Sequence, residues 1–216
     1  MQSFDKLLEI SVQRHGHLCA GQVIGVRMAM LGCRLVGIDD PESLAQRKKL
    51  IVFVEIDRCA TDAIESVTGC RIGRRSLKFK DFGINAATFV NLETRVAYRI
   101  VSTEGSRQLA PTFAKDKKDA RSRQIEGYKR MPDELLFSIQ RVSVKLPAWE
   151  MPGPATRYAE CQRCGQMVRD GREIISGGMT LCRPCAGKGY FYPVDDAQGD
   201  APEKKACRPP AEVKNV

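Results

Sequence analysis

The sequence predicts an α+β fold, in which a core domain of mixed helices and antiparallel strands is followed by a small cysteine-rich module. Three observations support this prediction. Apolar side chains recur at helical spacing early in the chain, and a β-branched run at residues 50–56 is typical of a buried strand. Several strand-like segments then follow one another without regular alternation with helices. Near the carboxyl end the composition changes to two Cys-x-x-Cys pairs.

Two helices are predicted in the amino-terminal part. The apolar side chains of residues 3–14 lie near helical spacing, and Ser3 is a suitable N-cap. Residues 22–35 are apolar enough for a helix packed inside the fold. Three glycines in or beside this second helix weaken it in isolation but allow another backbone to approach closely: Gly21, Gly25 and Gly32.

The remainder of the core is predicted to mix helices and strands. A short helix at 41–49 precedes the buried strand at 50–56, which leads into a helix that extends through Val67. A further short helix begins at Pro132. The other predicted strands are 77–81, 86–92, 94–102 and 139–146. Because short turns join the first three of these, we expect an antiparallel meander.

Prolines and a glycine between residues 147 and 154 indicate a linker. The predicted organisation is a core at 1–147, a linker at 148–157, a four-cysteine module at 158–193 and a flexible tail at 194–216. The tail is polar and rich in proline, and it has little apolar material with which to form a core.

Composition is that of a soluble globular protein, with 43% hydrophobic and 28% charged residues. No apolar run reaches the roughly 18 residues of a membrane span, and the first residues do not resemble a signal peptide, so we expect a cytoplasmic protein with no membrane partner. Residues 1–150 carry 25 Lys and Arg against 18 Asp and Glu, which accounts for most of the net charge of +9. A charge of this size permits an anionic partner without specifying one.

The four late cysteines have the spacing of a metal site. Each Cys-x-x-Cys pair lets two thiolates reach one ion, and four thiolates form a closed tetrahedral zinc site. A module this small has too little core to fold alone, so metal binding would supply its folding free energy. An iron site, or four unrelated or redox-active cysteines, are the alternatives. The predicted zinc ligands are Cys161, Cys164, Cys182 and Cys185.

A second candidate site lies early in the chain, where His15, His17 and Cys19 fall within five residues and include the only two histidines. Imidazole is the commonest protein metal ligand, and thiolate is both a ligand and a nucleophile. Placed at the amino terminus of the second helix, His17 and Cys19 would face unpaired N–H groups that favour a thiolate. Any one of these residues alone could equally be structural.

Two later segments are expected to complete this early site through the fold. Cys59 and Asp62 follow the buried strand at a strand-to-helix junction, and Cys70 lies between glycines. Asp62 could orient an imidazole or act as an acid or base. The predicted metal ligands of the core are His17, Cys19, Cys59 and Cys70, and the candidate catalytic residues are His17, Cys19, Cys59 and Asp62.

His17 is the preferred ligand of the two histidines because it lies closer to Cys19. His15 would then serve it from outside the ligand set or bond to the backbone, since adjacent imidazole ligands are sterically awkward. Of the remaining cysteines, Cys33 lies within an apolar run and is expected in the core, and Cys207 in the tail is expected to be incidental.

The segment from Lys115 to Arg130 is strongly basic. A solvated helix or loop is the favoured interpretation, and contact with an anion or nucleic acid is the alternative. Aromatic side chains on which bases could stack are sparse here, with only Phe113 and Tyr128 nearby.

These motifs together resemble the FmdE family, which is named for the E-type component of formylmethanofuran dehydrogenase. The matching segments are residues 15–21 with 25–27, 57–63 and 68–73, followed by 81–84 and 86–89. Ala20 stands where many relatives have proline, which affects the loop and not a ligand.

The resemblance implies an α+β core that forms an intertwined homodimer, with a pocket, often metal-bound, where the two Cys-containing segments meet. It also implies that the four late cysteines form a treble-clef zinc finger similar to that of the TraR/DksA proteins. The family name reflects operon association with a molybdenum or tungsten enzyme of one-carbon metabolism.

Two functions are consistent with these observations. The first is a metal-binding accessory protein of such a one-carbon system, with catalysis by the protein itself left open. The second is a regulator that senses metal or a small ligand and contacts protein or nucleic acid through its finger. The small charge excess of the finger argues against strong nonspecific DNA binding.

Overall fold

The computed structural model describes residues 1–191, and the chain divides into two compact units with the boundary between Leu146 and Pro147. The expected tail and Cys207 lie outside the described residues. Within residues 1–191, no helix combines the length and apolar character needed to cross a membrane.

The first unit contains seven α-helices among its described residues. Ser3 caps the first helix as predicted, because its side chain accepts from the Lys6 N–H. The second helix begins two residues earlier than predicted. The helices are α1 Phe4–His15, α2 Ala20–Leu35, α3 Leu44–Arg47, α4 Cys59–Thr68, α5 Glu104–Leu109, α6 Ala120–Arg130 and α7 Asp133–Leu136.

A five-stranded sheet forms the other layer of this unit. Its strands are β1 Leu50–Val54, β2 Leu77–Phe79, β3 Ala86–Asn91, β4 Ala97–Ser102 and β5 Phe137–Arg141, arranged in the order β2-β1-β3-β4-β5. Together with the helices it confirms the predicted α+β class, which mixes helix and sheet irregularly.

The predicted meander is wrong at its first strand. β2 does not pair with β3; it lies at the sheet edge, parallel to β1, with Val52 opposite Leu77. The physical reason is the helix between them. α4 returns the chain to the starting end of β1, and a crossover of this kind produces a parallel neighbour. The pairs β1–β3, β3–β4 and β4–β5 are antiparallel.

Helices α1, α2 and α4 share one large hydrophobic core with the sheet. Two of the predicted close approaches occur along α2. A Cβ at Gly25 would lie 2.6 Å from the Cβ of Ala63 on α4, and a Cβ at Gly32 would overlap the Phe89 ring on β3. Because these positions lack side chains, α2 packs in close contact with α4 and β3. Cys33 is fully buried in this core, as expected.

A separate buried cluster forms around Ile51, Phe53, Val90 and Ala97 of the sheet. The last predicted strand ends at Arg141, and the apolar side chains of residues 142–146 pack on this cluster. At the same sheet, the buried Glu55 carboxylate receives hydrogen bonds of 2.7 and 2.6 Å from Arg99 of β4.

The second unit contains two short hairpins. β6 Tyr158–Glu160 pairs with β7 Met167–Arg169, and β8 Ile174–Ser176 pairs with β9 Met179–Leu181, both antiparallel. Its buried cluster consists of three cysteines and Leu181, with few other apolar side chains against them.

Candidate metal centres

The four cysteines of the second unit come together around one point. Their four Sγ atoms all lie within 4.8 Å of one another. Each pair sits in a tight turn: the N–H of Gly165 donates to the Cys161 carbonyl at 2.8 Å, and the N–H of Ala186 donates to the Cys182 carbonyl at 3.0 Å. Gly165 has a φ of +72°, a conformation that glycine adopts without strain.

These thiols suit a metal ion in their chemistry as well as their spacing. Burial raises the pKa of the Cys161 thiol, but backbone N–H groups of Cys182, Cys164 and Arg163 outweigh it and lower that pKa to about 6. The lowered pKa favours the thiolate form of Cys161, which is the form that binds a metal ion. Because the cysteines make up most of the buried cluster, the module has little apolar core besides them. The arrangement can hold a metal ion.

A second group lies in the connection between α1 and α2. One ligand atom from each of His15, His17 and Cys19 lies within 4.8 Å of the other two. Gly16 ends α1 with a φ of +94° and turns the chain, and Cys19 is the N-cap residue of α2. Both helix ends therefore position this group.

His15 is held more firmly than His17. Its Nδ1 lies 2.8 Å from Oδ2 of Asp62, and its side chain is only 12% exposed. Its Nε2 is buried and has no hydrogen-bond partner among the described residues. A carboxylate that accepts the Nδ1 proton leaves a lone pair on Nε2, which is the arrangement of histidines that bind metal.

The two histidines thus differ from the expectation that His17 is the ligand and His15 supports it. The structure gives the carboxylate partner and the buried free nitrogen to His15. His17 is exposed, with its ring centroid 4.6 Å from that of His15. Both belong to the three-residue group. Asp62 was expected to orient an imidazole, and the imidazole that it contacts is that of His15.

Cys59 lies at the first position of α4, beside Cys19. Burial and the neighbouring Cys19 thiol raise the pKa of Cys59. Cys59 is not part of the three-residue ligand group. A Cβ at Gly21 would lie 2.8 Å from the Cβ of Cys59, which shows how closely α2 approaches this residue.

Sequence reasoning missed Gln22, which joins the two halves of the site. Its side-chain amide donates to the Cys59 carbonyl at 2.7 Å, and its carbonyl oxygen accepts from the Ser11 hydroxyl. Gln22 is fully buried, so it links α1, α2 and the start of α4. A lone amide side chain within an apolar helix was the signal that could have revealed it.

Cys70 is not brought to this site. It is fully buried in the hydrophobic core, with its Sγ 3.8 Å from the Leu50 carbonyl oxygen. Cys59 begins α4 and Cys70 follows its end, so the helix separates them by about 14 Å at 1.5 Å per residue. Burial raises the pKa of the Cys70 thiol.

The basic segment is partly neutralised by its own acids. Arg130 pairs with Asp116 at 2.6 Å and holds the pKa of that carboxyl down at about 2, and Lys129 pairs with Glu126 at 2.7 Å. One of its exposed cations reaches the site loop: Nη2 of Arg121 donates to the Leu18 carbonyl at 3.2 Å.

Comparison with known proteins identifies similarities over most of the chain. The family model described as "FmdE, Molybdenum formylmethanofuran dehydrogenase operon" matches residues 14–143. A probable S-adenosyl-L-methionine-binding protein of Archaeoglobus fulgidus is 27% identical over 208 residues, covering 86% of this chain and 54% of the relative. The chain therefore spans about half the length of that curated relative.

A solved structure shares the fold. The crystal structure of an FmdE-like protein of the tungsten formylmethanofuran dehydrogenase type, from Syntrophus aciditrophicus, aligns with a TM-score of 0.57 and 21% identity. The alignment covers 88% of this chain and 95% of the other.

Proposed function

The chain belongs to the FmdE family, and we propose that it binds a transition-metal ion at the connection between α1 and α2. We infer that it serves a formylmethanofuran-dehydrogenase-type molybdenum or tungsten system as an accessory protein. The observation that carries the proposal is the buried, unpartnered Nε2 of His15 beside His17 and Cys19. The family assignment supports the metabolic setting.

The ligand types favour a borderline transition metal over magnesium or calcium. Imidazole nitrogen and thiolate sulfur suit zinc, copper, iron or nickel, whereas the hard cations prefer oxygen ligands. His15, His17 and Cys19 would hold the ion, with Cys59 beside Cys19 as a further thiol. Three protein ligands leave a position for water or a substrate, as in catalytic zinc sites.

The residues of this chain would control such a site through proton placement and access. The Asp62 carboxylate lies 2.8 Å from Nδ1 of His15 and would orient the ring so that Nε2 faces the ion. Gln22 holds the Cys59 backbone beside the start of α2. A bound ion would supply Lewis acidity at its open position.

We infer that the four-cysteine cluster holds a structural zinc ion and that the module is a treble clef of the TraR/DksA type. Two hairpins, two tight turns and four thiols around one point support this inference. A closed set of four thiolates leaves no position for a substrate, so the module would serve stability or contact with a protein partner.

A homodimer is the proposed assembly. Three apolar side chains at the end of the short edge strand β2 and in the loop after it are exposed, namely Phe79, Phe82 and Ile84. An exposed edge strand with apolar neighbours is a common place for a second copy to pair. Sedimentation equilibrium of wild type and of Phe82→Ser tests this, and a monomeric wild type would contradict it.

Metal analysis of purified full-length protein tests the core site. Wild type should contain more metal per chain than a Cys19→Ala/Cys59→Ala variant, because only the four-cysteine cluster remains in the variant. Cys33→Ala, which removes a buried thiol away from the ligand group, is the matched control and should retain the wild-type content. Equal metal in the double variant and wild type would overturn the core metal site.

Binding of S-adenosyl-L-methionine is a second candidate function, because the relative described as binding it aligns with 86% of this chain. Isothermal titration of the full chain with this compound, with adenosine as the control ligand, tests this candidate function. Saturable heat with the first ligand and none with the second would support it. Absence of heat with both would exclude it.

A further inference from the structure

Cys19 lies at the centre of two different arrangements. Its sulfur belongs to the ligand group with His15 and His17, and it also neighbours the Cys59 thiol. Both cysteines are free thiols and partly exposed to solvent. Each is fixed at the start of a helix, Cys19 as the N-cap residue of α2 and Cys59 as the first residue of α4.

The backbones beside these two thiols are held together by close contacts. Gly21 lets α2 approach so that an added Cβ would be 2.8 Å from the Cβ of Cys59. The Gln22 amide donates to the Cys59 carbonyl at 2.7 Å. These contacts hold the starts of α2 and α4 together beside the neighbouring Cys19 and Cys59 thiols.

We propose that Cys19 and Cys59 are a dithiol pair that low-molecular-weight disulfides convert to an intramolecular disulfide. One thiolate attacks the small disulfide, forming a mixed disulfide and releasing one small thiol. The second thiol then loses its proton and displaces the other small thiol. Two S–H groups become one S–S bond, and the two electrons reduce the small disulfide to two thiols.

The proposed disulfide has a consequence for metal binding that rests on the proposed core site. A sulfur in a disulfide is no longer a thiolate, so Cys19 could not be a metal ligand while bonded to Cys59. Oxidation would then release the core metal and leave only the two imidazoles. The pair therefore makes metal occupancy dependent on the redox state of the surrounding thiols.

Two other thiols of the first unit serve as an internal control. Cys33 and Cys70 are both fully buried in the core. Small disulfides cannot reach them in the folded protein. Oxidation without regard to access would modify Cys33 and Cys70 as well, whereas oxidation limited by access would modify only Cys19 and Cys59.

Peptide mapping tests the proposal. Zinc-loaded, reduced full-length protein is equilibrated with oxidised glutathione, acid-quenched and alkylated under denaturing conditions. Trypsin isolates Cys19 in residues 15–27, and cleavage after Glu65 separates Cys59 from Cys70. The expected product is a reducible link between residues 15–27 and 59–65, with Cys33 and Cys70 alkylated. Recovery of Cys19 and Cys59 as separate alkylated or glutathionylated peptides would overturn the proposal.

Zinc content of the same samples separates this proposal from the core metal site. Oxidation should lower the zinc of wild type to that of Cys19→Ala/Cys59→Ala, while oxidation of the variant changes nothing. The linked peptide without any difference in zinc would refute the core metal site and leave the dithiol pair standing. Loss of zinc without the linked peptide would refute the dithiol pair.

Discussion

At the scale of single residues, the core site depends on which imidazole receives a carboxylate. His15 is the last residue of α1, and its Nδ1 lies 2.8 Å from Oδ2 of Asp62 on the first turn of α4. His17, two residues later, is exposed. A carboxylate partner fixes the ring and the tautomer of a ligand, so His15 is the better-organised donor.

Neutralising Asp62 should weaken metal binding at the core. We expect Asp62→Asn to reduce the affinity for zinc or cobalt about tenfold or more, because the oriented, basic form of His15 loses its carboxylate. Competition with a coloured chelator measures this. Glu65→Gln removes a carboxylate on the same helix that pairs with Arg71 and should leave the affinity unchanged. An equal loss in both variants would show a nonspecific charge effect.

Removing the partner of a buried carboxylate should cost more than removing one at the surface. Arg99→Met leaves Glu55 buried without its two hydrogen bonds, which we expect to destabilise the protein by about 3 kcal/mol. Glu93→Gln breaks an exposed pair with Lys49 and should change stability by about 0.5 kcal/mol or less. Urea unfolding compares them, and similar costs would contradict the expectation.

At the scale of elements, glycines decide how α2 meets its neighbours. Gly21, Gly25 and Gly32 are spaced so that they lie on or near one side of the helix, and each removes a side chain where α4 or β3 approaches. The contact at Gly21 brings Cys59 beside the start of α2. The packing of α2 against α4 therefore also determines where Cys59 lies relative to the start of α2.

Adding one methyl group to α2 should be destabilising, although alanine is the better helix former. Gly25→Ala would push a Cβ into the Ala60 carbonyl and the Ala63 side chain, at an expected cost of about 1–3 kcal/mol. Gly105→Ala in α5 meets open space and should stabilise by about 0.5 kcal/mol. Thermal unfolding of both variants measures the difference, and a stabilised Gly25→Ala would contradict the packing described.

At the scale of the whole molecule, the two units use different sources of stability. The first has a large buried core between helices and sheet. The second has a buried cluster made mostly of cysteine sulfur, which without a metal offers little to oppose chain entropy. Metal dependence should therefore be unequal along the chain.

Chelation should unfold the second unit and spare the first. After metal removal in reducing buffer, amide hydrogen exchange of β6 to β9 should become fast, because the proposed structural ion would supply the folding free energy of this module. Strands β1 and β3 should keep their protection, since they lie in the apolar core. Protection of β6 to β9 that survives complete metal loss would show that the module folds without an ion.

Local patterns predicted much of this protein. Helical spacing found α1 and most of α2, the β-branched run found β1, and the spacing of the four late cysteines indicated their cluster. Each of these features depends on residues close in the chain, or on thiols whose spacing is itself diagnostic. The family motifs added the segments that meet at the core site.

Tertiary packing alone decided the rest. The placement of β2 parallel to β1, the choice of His15 by Asp62, and the burial of Cys70 at the far end of α4 were not predicted. His15 and Asp62 are 47 positions apart, and they meet because α1 and α4 pack together in the hydrophobic core. Residue types and their local order specified which side chains could bind metal, whereas the packing of two helices determined which of them share a site.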